Sequence, residues 1–154
     1  MPFQLTYHSL ASREMTGKDL KAIMNIAIEN NQKLGVTGCL IYYNNFFLQI
    51  LEGEKGTVLE LLNKIKQDHR NEQLTLLSTD ESEDRIFKDW AMSFYHLPEK
   101  RELAAEEVQI KNHLIELSDS SDKPNFTLKV FWYNVRQILL SEGYFRDSPY
   151  IGEN

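Results

Sequence analysis

The stretch Val36-Thr37-Gly38-Cys39-Leu40-Ile41-Tyr42-Tyr43-Asn44-Asn45-Phe46-Phe47-Leu48-Gln49-Ile50-Leu51-Glu52-Gly53 decides the fold. Two apolar runs with aromatic and β-branched residues flank Asn44-Asn45, a pair that tolerates positive φ. This predicts a tight hairpin with strands over 36–43 and 46–52. In the second strand Phe47, Gln49 and Leu51 share one face. Gln49 is then a carboxamide inside an apolar run. Its donors and acceptor need partners if buried, and rotation or tautomerisation exchanges what it offers a neighbour. Gly53 breaks the strand.

Upstream of the hairpin, Leu20, Ile23, Met24, Ala27 and Ile28 recur at helical spacing. Thr16-Gly17-Lys18-Asp19 precedes them as a capping box, with Asp in place of the usual Glu. The next turn of that face brings Asn31, a polar residue where core is expected. Gly35 ends the helix. Residues 3–9 alternate as a first strand, with Phe3, Leu5, Tyr7 and Ser9 on one face, and 11–15 read as a loop. Downstream, Val58, Leu61, Leu62 and Ile65 stripe a helix over 57–70, with Lys64 and Asp68 four apart beside it. Residues 73–79 read as a fourth strand, 80–84 as an acidic surface loop, and 90–97 as a fifth strand that opens with Trp90 and Met92.

The order strand, helix, strand, strand, helix, strand, strand predicts an α+β fold. It is a ferredoxin-like five-stranded mixed sheet with two helices on one face. Beyond Pro98, residues 99–117 and the repeat Leu128, Phe131, Val135, Ile138, Leu139 predict a C-terminal helical pair, joined through a loop at 118–125. The expected parts are 1–97 and 98–154. The tail helices must bury their stripes on the sheet, on each other or on another subunit.

At 154 residues the chain can bury a real core. A formal net charge of -6, with no basic segment, argues against nucleic acid as a partner. The first residues lack a signal peptide's regions, and no apolar run approaches the ~20 residues of a membrane helix. Cys39 has no second cysteine to pair with, so a cytoplasmic location is expected. The four histidines show no metal-ligand spacing. An acylphosphatase-like enzyme would share the strand order but needs a basic phosphate loop after the first strand. Leu10-Ala11-Ser12-Arg13-Glu14-Met15 has one arginine, no glycine and a carboxylate. An RNA-recognition module would set exposed aromatics beside basic residues on the sheet. Taken singly, the unusual residues have plain structural readings. Tyr7 is a core-edge tyrosine, Asn31 a helix C-cap, Trp90 and Met92 core, and Lys64 with Asp68 a solvated pair worth a few tenths of a kcal/mol.

Taken jointly they form a pattern. Tyr7-His8-Ser9-Leu10-Ala11 comes first, then Asn30-Asn31 ahead of Gly35-Val36-Thr37-Gly38-Cys39-Leu40. Phe47-Leu48-Gln49-Ile50-Leu51-Glu52-Gly53, Asp68-His69-Arg70 and Trp90-Ala91-Met92 follow in order. This set resembles the BLUF family, blue-light sensors that use FAD, over residues 3–97, and the length resembles its small stand-alone members. The resemblance implies a photoreceptor without catalytic turnover. FAD, or FMN as the alternative flavin, would be held non-covalently between the two helices above the sheet, and Cys39 matches no flavin-linking position. Tyr7 would donate an electron and a proton to the photoexcited flavin. Gln49 would lie between that phenol and the flavin N5/O4 edge, Asn31 would bond the carbonyl side, and Trp90 and Met92 would alternate beside Gln49. Lys64, Asp68 and Arg70 match positions near the ribityl and phosphate side, while Ser9 and Asn30 would line the pocket.

The physical reading agrees with those roles. If the faces of Tyr7 and Gln49 are the helix-covered side, a phenol of pKa ~10 is raised further by burial, so Tyr7 stays protonated in the dark. Its oxidation makes that proton acidic, and Gln49 can relay it and emerge with a different donor pattern. A new hydrogen bond to the flavin carbonyl would shift absorption to the red. Output would run from the strand of Trp90 and Met92 into the tail and on to an unidentified regulator protein, with a homo-oligomer expected. The alternative is a non-photoactive regulatory domain of the same fold that binds a small metabolite in the same cleft.

Overall fold

The computed structural model describes residues 1–87, 93–96 and 126–141. The elements are β1 (Phe3–Ala11), α1 (Gly17–Leu34), β2 (Thr37–Tyr43), β3 (Phe46–Gly53), α2 (Lys55–Gln67), β4 (Asn71–Glu81), β5 (Ser93–His96) and α3 (Phe126–Ser141). The hairpin forms as read. Asn44 and Asn45 take φ of 45° and 63°, which a two-residue turn between twisted strands requires. It sets the register that pairs Leu40 with Gln49. β3 then pairs antiparallel with β1, which places Tyr7 opposite Gln49. β4 adds antiparallel to the far side of β1, and β5 lies parallel to β2, giving the order β4-β1-β3-β2-β5. The α+β class and its four antiparallel strands agree with the sequence reading.

Both front helices start on side-chain caps. Thr16 Oγ1 accepts from the Asp19 N–H at 3.1 Å, and the Asp19 carboxylate accepts from the Thr16 N–H at 3.0 Å, so two of the helix's orphan donors are met reciprocally. Gly35 closes α1 in the left-handed region at φ 68°. Glu54 caps α2 by accepting from the N–H groups of Gly56 and Thr57. Leu20, Val58 and Leu62 pack with Phe3, Leu5, Leu40, Phe47 and Leu51 as the front core.

The back face of the sheet is buried as well. Leu128, Phe131, Val135 and Ile138 of α3 pack on Cys39, Ile41, Leu48 and Ile50, with Phe87 beside them. At ~1.5–3 kcal/mol for each fully buried large apolar side chain, that helix is a structural half of the molecule. β2 and β3 approach so closely that a Cβ on Gly38 would stand 2.0 Å from the Ile50 carbonyl oxygen.

Several boundaries differ from the sequence reading. α2 ends at Gln67, not at residue 70. There the Asp68 carboxylate accepts from the Arg70 N–H at 2.9 Å, a local turn that competes with the helix. β1 and β4 are longer than expected because Ala11 pairs with Asn71 and Phe3 with Glu81, which takes in the start of the expected acidic loop. Gln73, at φ 52°, lies where their register shifts. The expected helix over 99–117, first of the C-terminal pair, lies outside the described residues. Among the described residues no helix is long and apolar enough to cross a membrane.

Candidate functional site

α1 and α2 do not close on each other over the front face. They leave a cavity of about 220 Å³ whose floor is β1, β2 and β3. This explains the burial of α1. Leu20 and Asn31 are its buried residues, while Ile23 and Ala27 of the same stripe are only half-buried because they wall the cavity.

Four polar lining residues are almost fully buried: Ser9, Tyr7, Asn31 and Gln49, exposed by 1%, 3%, 3% and 4%. The Tyr7 hydroxyl donates a hydrogen bond to Gln49 Oε1. Opposition across β1 and β3 creates that pair, since both side chains leave the same face at one register position. Burial pushes the Tyr7 phenol well above its ordinary value, and the negative charge of Asp68 adds to the shift. Gln49 is held from the back too, because its main-chain carbonyl accepts from Thr6 Oγ1 at 2.8 Å. Asn31 sits in the last turn of α1, where its carbonyl accepts from the Val36 N–H at 2.9 Å. The left-handed cap is Gly35, and the Asn31 residue lines the cavity.

The mouth is polar. Lys64, Asp68 and Arg70 lie there, and Ser9 and Asn30 line the wall. Asp68 does not form the expected pair with Lys64. It is bonded by Arg70, with Nη2 at 2.5 Å and Nε at 3.0 Å. The Arg70 guanidinium holds the Asp68 carboxyl below the usual carboxylate range, against partial burial. A shallower depression lined by Lys64, Gln67, Asp68, His69 and Arg70 continues outward from the mouth. Trp90 and Met92, the expected neighbours of Gln49, lie outside the described residues.

Eight of the expected site residues therefore line one cavity. The sequence reading missed its apolar walls, including Ile26, Leu40, Phe47 and Ile65, and one polar group, Asn71. Of these only Ile65 belongs to a helical stripe, which looks the same whether it faces core or ligand; Leu40 and Phe47 read as strand residues, and Ile26 lies off the α1 stripe. Asn71 Nδ2 donates to the Ile65 carbonyl at 3.0 Å. That fixes the amide, and Asn71 Oδ1 is left buried with no donor among the described residues. An acceptor of that kind in the wall of a cavity suits a ligand carrying N–H or O–H groups. Apolar walls between two helices suit a flat aromatic ring, and the cationic mouth suits an anionic tail. The residues present fit a flavin nucleotide.

Residues 3–93 match the BLUF family, "Sensors of blue-light using FAD". The chain belongs to this family. The beta subunit of the photoactivated adenylate cyclase of Euglena longa is 38% identical to it over 90 residues, 58% of this chain and 10% of that protein. The alpha subunit from Euglena gracilis is 37% identical over 83 residues, 54% of this chain and 8% of that protein. The chain thus spans about a tenth of the curated relatives it matches. The ground-state structure of BlsA superposes with a TM-score of 0.64 at 25% identity, covering 90% of this chain and 88% of that one. The dark-state structure of the BLUF protein BlrB gives 0.61 at 26% identity, covering 78% and 86%. The matched residues are a BLUF domain, of a family that binds flavin and senses blue light.

Proposed function

We propose that this chain is a blue-light photoreceptor that binds FAD non-covalently between α1 and α2. The observation that carries the reading is the buried Tyr7–Gln49 hydrogen bond at the base of that cavity. Bound flavin supplies the absorption of blue light and an excited state that accepts an electron. The chain's own residues do the rest. Tyr7 is kept neutral by its surroundings and has one ready path for its proton, along its bond to Gln49 Oε1. Gln49 has an amide whose donor and acceptor ends exchange on rotation or tautomerisation, so it is the group that stores the event. Asn31 and Asn71 offer polar partners within the cavity, and Arg70 and Lys64 offer charge for the phosphates. Choosing FAD over FMN rests on the family name and on the outward depression beside Arg70.

Output by protein contact is part of the same reading. The relatives named as adenylate cyclases are far longer than the matched stretch. Residues 98–154, read from the sequence as a helical extension and of which α3 packs on the back of the sheet, would carry that output to a downstream regulator or to a second copy of the chain. The buried, unpaired Cys39 is in keeping with a reducing cytoplasm.

The experiment is an absorption spectrum of the purified chain in the dark and after blue light. A yellow protein with a red shift that reverses in the dark is expected, and chromatography of the released cofactor separates FAD from FMN. A colourless protein that takes up no flavin, or a yellow one with no shift, overturns the reading. The second outcome favours a regulatory domain without photochemistry.

A further inference from the structure

Glu52 is a carboxylic acid with no exposed surface, on the face of the sheet opposite the cavity. Burying such a group is costly unless its oxygens are fully bonded. They are. Oε1 accepts from Thr37 Oγ1 at 3.0 Å and from the Phe87 N–H, and Oε2 accepts from Gln4 Nε2 at 3.0 Å and from the Ile86 N–H at 3.0 Å. Gln4 and Thr37 are its sheet neighbours on β1 and β2. Arg85 Nη1 adds a bond to Thr37 Oγ1 at 3.3 Å. The main-chain donors of Ile86 and Phe87 are therefore met by a side chain on β3, not by a strand. The chain that leaves β4 is pinned to β3 just before it returns as β5.

Glu52 is three residues from Gln49 on the same strand, ~10 Å along it. The Gln49 peptide is gripped on both faces, by Tyr7 through its side chain and by Thr6 through its carbonyl. Rearrangement at Gln49 therefore acts on the β3 main chain, and that main chain carries the clamp. We propose that Glu52 is the positioning residue through which the state of Gln49 sets the placement of residues 85–87, and so the approach to β5. The inference rests on the photoreceptor reading. Its physical content is one element, the clamped segment, whose equilibrium the switch biases.

The test is Glu52→Gln in the full chain with bound flavin, followed by light-minus-dark spectra and by amide exchange resolved at Ile86 and Phe87. Gln4 and Thr37 can turn to suit an amide, but a main-chain N–H cannot, and the amide nitrogen cannot accept. One of the two N–H groups loses its partner. Its dark exchange should rise about 5- to 150-fold, the equivalent of ~1–3 kcal/mol for an unmatched buried donor. The red shift should keep its size, because the front face is untouched. The light-induced exchange change that wild type shows at 86–87 and 93–96 should vanish. Thr37→Val, which removes one of the four bonds, should act in the same direction but less, and serves if Glu52→Gln does not fold. Ile41→Val, which loosens the same face without touching the clamp, should keep the light response. Unchanged dark exchange in both clamp variants overturns the clamp. A light response that persists in them, or is absent from a wild type that does shift red, overturns the coupling. A wild type with no red shift sinks the photoreceptor reading instead.

Discussion

At the scale of single residues, the candidate site turns on one buried hydrogen bond, from Tyr7 to Gln49. Tyr7→Phe keeps the ring that fills the wall and removes the hydroxyl that donates to Gln49. Flavin should remain bound and the light-induced red shift should disappear, as read by a difference spectrum. A normal, reversible shift in this variant would remove Tyr7 from the mechanism. Asn31→Ala should act on affinity. A flavin polar group left without its buried partner costs ~1–3 kcal/mol, roughly 5- to 150-fold in Kd measured by flavin titration. An unchanged Kd would return Asn31 to a purely helical role. Much of this was legible beforehand, because a polar residue that breaks an apolar period stands out. Asn31 and Gln49 each did so, whereas Tyr7 taken alone reads as a core-edge tyrosine. Asn71 did not, since its orphan oxygen exists only because the other end of its amide is taken by the Ile65 carbonyl. No single-residue pattern carries that information.

At the scale of elements, the start of α1 is legible in its capping box, whereas α2 differs from the span 57–70 at both ends, starting at Lys55 on the Glu54 cap and stopping at the Asp68 turn. The Thr16-to-Asp19 box was found from spacing alone. The end of α2 was placed three residues late, because Asp68 and Arg70 look helical in sequence but bond each other beyond the helix. The box has a pH signature. The Thr16 N–H first, then the Arg13 guanidinium and the Thr16 hydroxyl, push the Asp19 carboxyl down to about 2. A carboxyl depressed from its ordinary ~3.9 contributes stability above that value and loses it as pH falls through the folded one. Asp19→Asn should therefore lower the melting temperature at pH 7, and the gap to wild type should close between about pH 4 and pH 2. A gap that stays constant down to pH 2 would mean the box contributes packing and no charge. The edge strand β4 was the least legible element. Its side chains are mostly exposed or half-buried, so the period that marks a buried strand is weak.

Over the whole molecule, the sheet separates two cores. The front core holds the cavity, and the back core holds α3. Phe131, a fully buried side chain of α3, should cost ~3–5 kcal/mol when replaced by alanine, measured by urea unfolding. The flavin spectrum of the folded fraction should not change, because among the described residues no back-core side chain lines the cavity. A chain cut after residue 97 bares Cys39, Ile41, Leu48 and Ile50 together and should run as an aggregate on size exclusion. A monodisperse product would mean the sheet does not need its second cover. The repeat in α3 told that it had an apolar stripe. Only the tertiary structure told which surface it covers, since a stripe does not name its partner.

The strand Phe46–Gly53 belongs to both cores at once. Phe47, Gln49 and Leu51 look one way, and Leu48, Ile50 and Glu52 look the other. Substitutions can therefore revise one side while leaving the other alone, and variants of this chain can drift in colour and in docking as separate traits. Insertions and deletions have no such freedom. A one-residue slip of this strand would exchange the two sets, turning the Glu52 carboxyl toward the cavity and the Gln49 amide toward α3. A library that shuffles lengths should return almost nothing functional here, whereas one that shuffles letters should return a great deal.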